Sequence, residues 1–174
     1  LYLDAVVDEI KAKAKEYSLD EPYLLIEPGR SIVGEAGVTL YTVGAIKEIP
    51  GVKKYVAVDG GMFENPRYAL YQAKYTAVLA NRMNDKADDV VTVAGKCCES
   101  GDIVCANVPL PKAKTGDILA VLSTGAYNYS MASNYNRNPI PPVVLVNEGH
   151  ADYVVKPQTF EDIVRNDVVP ERLR

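Results

Sequence analysis

The sequence predicts a mainly β fold: an antiparallel β-barrel or sandwich, preceded by a helix and a buried strand of α/β character and closed by a short helix. Three observations carry this. Between Val38 and Lys156 lie short runs rich in Val, Ile, Thr and Tyr, punctuated by Gly, Pro, Asn and Asp, the texture of strands joined by turns. Before them, a helical repeat runs into an unbroken apolar tetrad. After them, a helix-start signal precedes a last apolar pair.

Leu3, Val6, Val7, Ile10, Ala14 and Tyr17 recur at helical spacing, with Asp8, Glu9, Lys11, Lys13 and Lys15 mostly opposite; this is the pattern of an amphipathic helix. Residues 18–21 break it. Tyr23-Leu24-Leu25-Ile26 then fits a strand buried on both faces, as in a parallel sheet flanked by helices. Helix, loop, apolar strand and Gly29 follow the rhythm of an α/β barrel or doubly wound sheet. Strands are expected over residues 38–49, 55–59, 90–94, 118–122, 143–147 and 152–156. Pro109, Pro111, Pro139, Pro141 and Pro142 are expected between strands, where a missing N–H is harmless. Thr159-Phe160-Glu161-Asp162 has the form of a capping box opening a helix over residues 160–166.

The 174 residues carry a net charge of -4, which argues against a nucleic-acid binder with its basic stripe. No apolar run approaches the ~20 residues of a membrane span, and no charged stretch leads into an apolar one as in a signal peptide. The chain opens at Leu1 in the middle of a helical pattern; it reads as a piece of a longer protein. The cysteines, Cys97, Cys98 and Cys105, are odd in number and two are adjacent. Neighbouring cysteines seldom bridge each other, so a reduced, cytoplasmic setting is expected. A zinc site needs four ligands, and His150 is the sole histidine, so no metal is expected.

Four clusters hold groups able to do chemistry. Glu27-Pro28-Gly29-Arg30 follows the apolar tetrad, where α/β folds build their sites. There Gly29 admits close backbone approach and Arg30 offers a two-pronged donor to carboxylate or phosphate; a plain turn with a solvated arginine reads equally well. Asp59-Gly60-Gly61-Met62 is followed by Arg67 and Tyr71, four apart and on one face if helical; the alternative is a hairpin turn and an exposed arginine. Gly95 to Asp102 is dense in proton-handling groups. Its Cys98 suits a general acid, since only His150 is available as a base for nucleophilic chemistry; the alternative is a buried thiol and a Ser-Gly-Asp turn. Ser123-Thr124-Gly125-Ala126-Tyr127 ends a strand with a tyrosine able to donate to a phosphate, or simply to pack. Tyr129 and Tyr135 lie nearby.

In this order, Glu27-Pro28-Gly29-Arg30, Val58-Asp59-Gly60-Gly61-Met62, Arg67 with Ala69-Leu70-Tyr71, Cys98-Glu99-Ser100-Gly101-Asp102 and Gly125-Ala126-Tyr127 resemble the diaminopimelate decarboxylase family. That family is part of the alanine-racemase-like class of pyridoxal-phosphate-dependent decarboxylases. The likeness covers nearly the whole chain, and the Cys-Glu-Ser-Gly-Asp run is its most specific element. The resemblance implies that residues 1–36 are the last helix and strand of a truncated, pyridoxal 5'-phosphate-binding (β/α)8 barrel, and that residues 37–174 are the C-terminal β-domain with its closing helix. A whole barrel takes about 250 residues. The family's Schiff-base lysine has no match here, so the piece alone is expected to be inactive.

The roles implied by the resemblance are specific. Glu27, Pro28, Gly29, Arg30 and Tyr127 hold the cofactor. Arg30, Arg67, Tyr71, Glu99 and Tyr127 bind substrate, and Cys98 is the proton donor. The parent is expected to convert meso-2,6-diaminopimelate to L-lysine as a head-to-tail homodimer, with Cys98 and Glu99 reaching into the partner's site; neither nucleic acid nor membrane is an expected partner. Cys97 departs from the family motif and receives no role. Rival readings are a related decarboxylase acting on carboxynorspermidine, ornithine or arginine, against which Glu99 and the Arg67/Tyr71 pair argue, and a non-enzymatic β-barrel binding module.

Overall fold

The computed structural model describes residues 2–174. Helix α1 (Tyr2–Glu16) leads through an irregular stretch to a single turn, α2 (Arg30–Val33). Then come β1 (Val38–Ile49), β2 (Lys53–Val58), the short helix α3 (Arg67–Tyr71), β3 (Ala77–Leu79), β4 (Asp89–Ala94), β5 (Ile103–Leu110) and β6 (Ile118–Leu122). A hairpin of β7 (Val143–Asn147) and β8 (His150–Val155) and the closing helix α4 (Phe160–Val164) complete the chain. No helix among the described residues is long and apolar enough to cross a membrane.

Six strands form one curled sheet in the order β3-β6-β1-β2-β4-β5. Every neighbouring pair is antiparallel except β2 and β4. The edge strands β3 and β5 meet, so the sheet rolls nearly into a barrel. Strand β1 makes the roll possible. Its first half pairs with β6 and its second half with β2, and the register slips between Val43 and Ile46, where Gly44 sits. A bulge there bends the strand and raises its twist. Inward positions alternate as a half-buried sheet requires: Val56 and Val58, Val91 and Val93, and Leu119 and Val121 all line the core. The mainly β class and all six expected strands are present; the last begins two residues early, at His150. The hairpin turn Glu148-Gly149 takes positive φ at both positions, 48° and 80°, which is the twist that tight two-residue hairpins need. Helix α4 opens with Thr159 and Asp162 capping each other's backbone N–H.

Three expectations fail locally. Tyr23-Leu24-Leu25-Ile26 is neither a strand nor buried; Tyr23 and Leu25 are 101% and 92% exposed. A strand needs a ladder partner, and among the described residues no strand pairs with it. Pro109 sits inside β5 opposite Val90, tolerated because β5 is a sheet edge. Strands β3 and β5 were not expected at all. Three residues are too few to show a period, and β5 is interrupted by Asn107, whose φ of 54° marks an irregularity opposite Val91 to Val93.

A polar layer lies under the loops at one end of the sheet. Glu64, 6% exposed, accepts the Tyr41 hydroxyl at 2.6 Å and the Gly61 amide at 2.9 Å. Burial pushes its carboxyl up to about 7, against those two donors, which favour the charged form. Asp102, 3% exposed, accepts the Met62 amide at 2.6 Å and the Cys97 amide at 2.7 Å. A Cβ on Gly61 or Gly95 would collide with its carboxylate.

Two outcomes are expected. Leu119 is fully buried at the centre of β6, and Leu119→Ala should cost about 3 kcal/mol by urea denaturation, from lost transfer energy and an unfilled cavity. Glu64 binds its proton more tightly in the folded chain than the ordinary value of 4.5 allows. Its contribution is therefore full below that value and lost as pH rises to about 7. Unfolding free energy measured across this window should fall with rising pH, and Glu64→Gln should flatten that slope.

Candidate functional site

Helix α2 starts where the exposed stretch Glu27-Pro28 meets the sheet. Gly29 lies directly beneath the Tyr127 hydroxyl, where no side chain would fit. The Arg30 guanidinium then reaches over the Tyr127 ring, 5.4 Å from its centre, and donates to the Ser123 carbonyl at 3.3 Å. Tyr127 is held for this by an unusual backbone, with φ of 65°. Its loop packs on α2 through Thr124 N–H to Gly37 O at 2.9 Å and Gly125 N–H to Gly34 O at 3.0 Å. Gly125 abuts the Val33 carbonyl so closely that a Cβ is excluded.

From the other side comes α3. Arg67 stacks on Tyr71 at 4.9 Å and on the opposite edge of the group, Tyr127, at 5.4 Å. Its Nη1 donates weakly to the Met131 sulfur at 3.7 Å. Arg30, Arg67, Tyr71 and Tyr127 thus form one stacked cluster, each guanidinium held by ring faces that favour a cation. Arg30 Nη2 and Arg67 Nε are buried and have no acceptor. Buried donors in that state cost free energy unless something supplies an acceptor. A cleft of about 190 Å³ opens beside them, lined by Arg30, Arg67 and Lys74 among others and by no acidic side chain. Its chemistry suits an anion such as a phosphate or carboxylate.

Cys98 and Glu99 belong to a second group. The stretch after β4 has no regular structure and is held by side chains. Cys98 is exposed, and its N–H donates to Asn136 Oδ1 at 2.7 Å. Glu99 accepts the Tyr135 hydroxyl at 3.3 Å and its neighbour's Gly101 amide at 3.1 Å. Cys97 is half-buried, and burial first, then the Asp102 charge, pushes its thiol up to about 11. Cys105, in the core, is pushed by burial alone up to about 12. Both stay neutral near pH 7, which leaves Cys98 as the accessible thiol. Among the described residues no hydrogen bond joins the Cys98-Glu99 group to the arginine cluster.

The structure therefore brings together Gly29, Arg30, Arg67, Tyr71 and Tyr127, while Cys98 and Glu99 make their contacts with Asn136, Tyr135 and Gly101. Glu27 and Pro28 are exposed at the edge. Sequence reasoning placed Ser123 in the run before Tyr127 without its contact to Arg30, and missed Met131, which meets Arg67. It also missed Asn128, buried under Tyr127; with its amide turned to satisfy both ends, it donates to the Thr124 and Ala126 carbonyls at 3.3 and 3.1 Å. These residues lie in loops, where no periodicity signals them. The run Ala126-Tyr127-Asn128 with its polar neighbours is the one hint of a built turn.

Residues 5–125 match the family model of the pyridoxal-dependent decarboxylase, C-terminal sheet domain. Diaminopimelate decarboxylase of Bacillus subtilis is 57% identical over 167 residues, 96% of this chain and 38% of that protein. The crystal structure of diaminopimelate decarboxylase from M. jannaschii superposes with a TM-score of 0.83 at 37% identity, over 98% of this chain and 38% of that one. Its complex with L-lysine gives 0.81 at 38% identity, over 94% and 37%. The chain spans about 38% of the length of the curated relatives it matches. Through the sheet domain that fills most of its length, the chain belongs to the pyridoxal-dependent decarboxylase family.

Proposed function

We propose that this chain is the C-terminal part of an enzyme that decarboxylates meso-2,6-diaminopimelate to L-lysine. The observation that carries the reading is the pair of buried, acceptor-less nitrogens on Arg30 and Arg67, stacked around Tyr127. Such a cluster fits a bound anion, and the cleft beside it is free of acidic groups. The diaminopimelate decarboxylases that are its relatives, one of them solved with L-lysine, support the substrate assignment.

Pyridoxal 5'-phosphate fits this donor set, with Glu27, Pro28, Gly29, Arg30 and Tyr127 as the residues that would hold it. When bound, the cofactor supplies an electron sink for the carbanion left by loss of CO₂. The chain's own residues do the rest. Arg30 and Arg67 neutralise carboxylate charge, and Tyr71 and Tyr127 frame the guanidinium planes. Cys98 gives its proton to the α-carbon, and Glu99 receives the distal ammonium. A carboxylate at that end favours a substrate with a second ammonium over analogues lacking it. The reading includes a head-to-tail homodimer, as the family resemblance implies, in which Cys98 and Glu99 serve the partner's site. The free cysteines fit a reducing cytoplasm.

The same reading assigns residues 1–36 to a pyridoxal-phosphate-binding (β/α)8 barrel and residues 37–174 to the β-domain. Helix α1 buries only Ala14, and Tyr23 and Leu25 are uncovered; their apolar sides are patterned for a barrel that the rest of the parent would provide. The chain alone is accordingly expected to release no CO₂.

The parent protein loaded with cofactor should form lysine and CO₂ from meso-diaminopimelate. Turnover of carboxynorspermidine, ornithine or arginine with no lysine formed would overturn the assignment. Cys98→Ala should lower kcat by about 10²-fold or more while cofactor absorbance on titration stays near wild type. Cys97→Ala should retain most of the turnover. Equal loss of cofactor binding and turnover in Cys98→Ala would make Cys98 structural.

A further inference from the structure

Cys97, Cys98 and Glu99 lie in a stretch with no secondary structure of its own, yet each is met by a side chain from one short segment 36 to 41 residues further on. Asn138 Nδ2 donates to Cys97 Sγ at 3.6 Å, Asn136 Oδ1 accepts the Cys98 N–H at 2.7 Å, and the Tyr135 hydroxyl donates to Glu99 at 3.3 Å. The two stretches run past each other in opposite senses, one contact per residue. The middle contact is the shortest and the only one made to the backbone. It fixes the peptide from which the Cys98 side chain leaves.

The backbone of the segment is built for this contact. Asn136 and Arg137 take φ of 53° and 57°, a conformation that asparagine tolerates better than most residues. Asn134 in turn holds the segment in place through Asn138 O at 2.9 Å and Gln158 Oε1 at 2.6 Å. The main chain there is fixed by its own contacts, and the Asn136 side chain is left to reach across.

We infer that Asn136 is a positioning residue for Cys98: its carboxamide oxygen holds the Cys98 amide and so sets where the thiol delivers its proton. The inference rests on the proton-donor role proposed for Cys98. Proton transfer demands that the donor sit within hydrogen-bond reach of the carbon it serves, and a displacement of about 1 Å can cost 10²-fold. Asn136 touches neither substrate nor cofactor, so its loss acts on the rate and spares ground-state binding.

The test uses the full-length holoenzyme and three variants. Asn136→Gly removes the acceptor while keeping the left-handed backbone unstrained; Asn136→Asp keeps the acceptor; Cys98→Ala reports on the underlying reading. Asn136→Gly should lower kcat for meso-diaminopimelate about tenfold or more, with KM and cofactor affinity little changed. Hydrogen–deuterium exchange at the Cys98 amide, resolved by peptide fragmentation, should speed up about fivefold, the worth of one lost hydrogen bond. Asn136→Asp should restore both. Unchanged exchange, unchanged kcat, or a loss in Asn136→Gly that Asn136→Asp fails to rescue would each overturn the inference. A fully active Cys98→Ala enzyme would instead remove the proton-donor reading, and the exchange measurement would then show the tether to be structural only, which also ends the inference.

Discussion

The loops that carry chemistry in this chain depend on one buried carboxylate. Asp102 places one oxygen on the Met62 amide and the other on the Cys97 amide. The first amide lies in the turn leading to Arg67, the second in the stretch leading to Cys98. Neither stretch is a strand or a helix, so neither has a ladder to hold it. A charged acceptor shared between two amides is among the stronger hydrogen-bonding arrangements available, and its oxygens are consumed by it. The two glycines beside it, Gly61 and Gly95, let the backbones come close enough. The Asp end of the motif thus has a structural part, and the preceding Cys98 and Glu99 remain exposed.

Glu64, one turn away, plays the complementary part. It ties Gly61 to Tyr41 on β1, so the turn before Arg67 is anchored to the sheet as well as to the neighbouring loop. Burial raises its proton affinity. Two buried acids thus tie different pairs: Glu64 joins the turn to the sheet, and Asp102 joins the turn to the neighbouring loop.

Much of this was legible in the sequence, for reasons that can be named. Strands β1, β2, β4 and β6 alternate apolar and polar residues or are bounded by Gly and Asp, and those signals are local. The Thr159 and Asp162 cap is a four-residue code and reads directly. Arg30, Arg67 and Tyr127 were found by their place in a series of motifs, and they converge in space. Legibility ended where partners are distant. Strand β5 hides behind Asn107 and Pro109 because its place is set by pairing with β4, not by its own period. The tetrad Tyr23 to Ile26 reads as a buried strand because composition signals burial but not the partner a strand must pair with, and among the described residues it pairs with none. Asn128 and Asn136 are polar residues in polar loops, and only the partner atom distinguishes a tether from a solvated side chain.

The segment from Ser123 to Asn138 draws these threads together. Of the eight non-glycine residues with positive φ among the described residues, four lie here: Ser123, Tyr127, Asn136 and Arg137. Such conformations cost on the order of 1–3 kcal/mol each and persist only where surrounding contacts over-determine them. At one end of the segment the strain aims Tyr127 between two guanidiniums; at the other it aims Asn136 at the Cys98 amide. Met131 between them receives Arg67. One segment thus contacts both the arginine cluster and the Cys98-Glu99 stretch. Relaxing its backbone to ordinary values would relieve that strain and disconnect it from both, so the strain is the cost of reaching two groups from one segment.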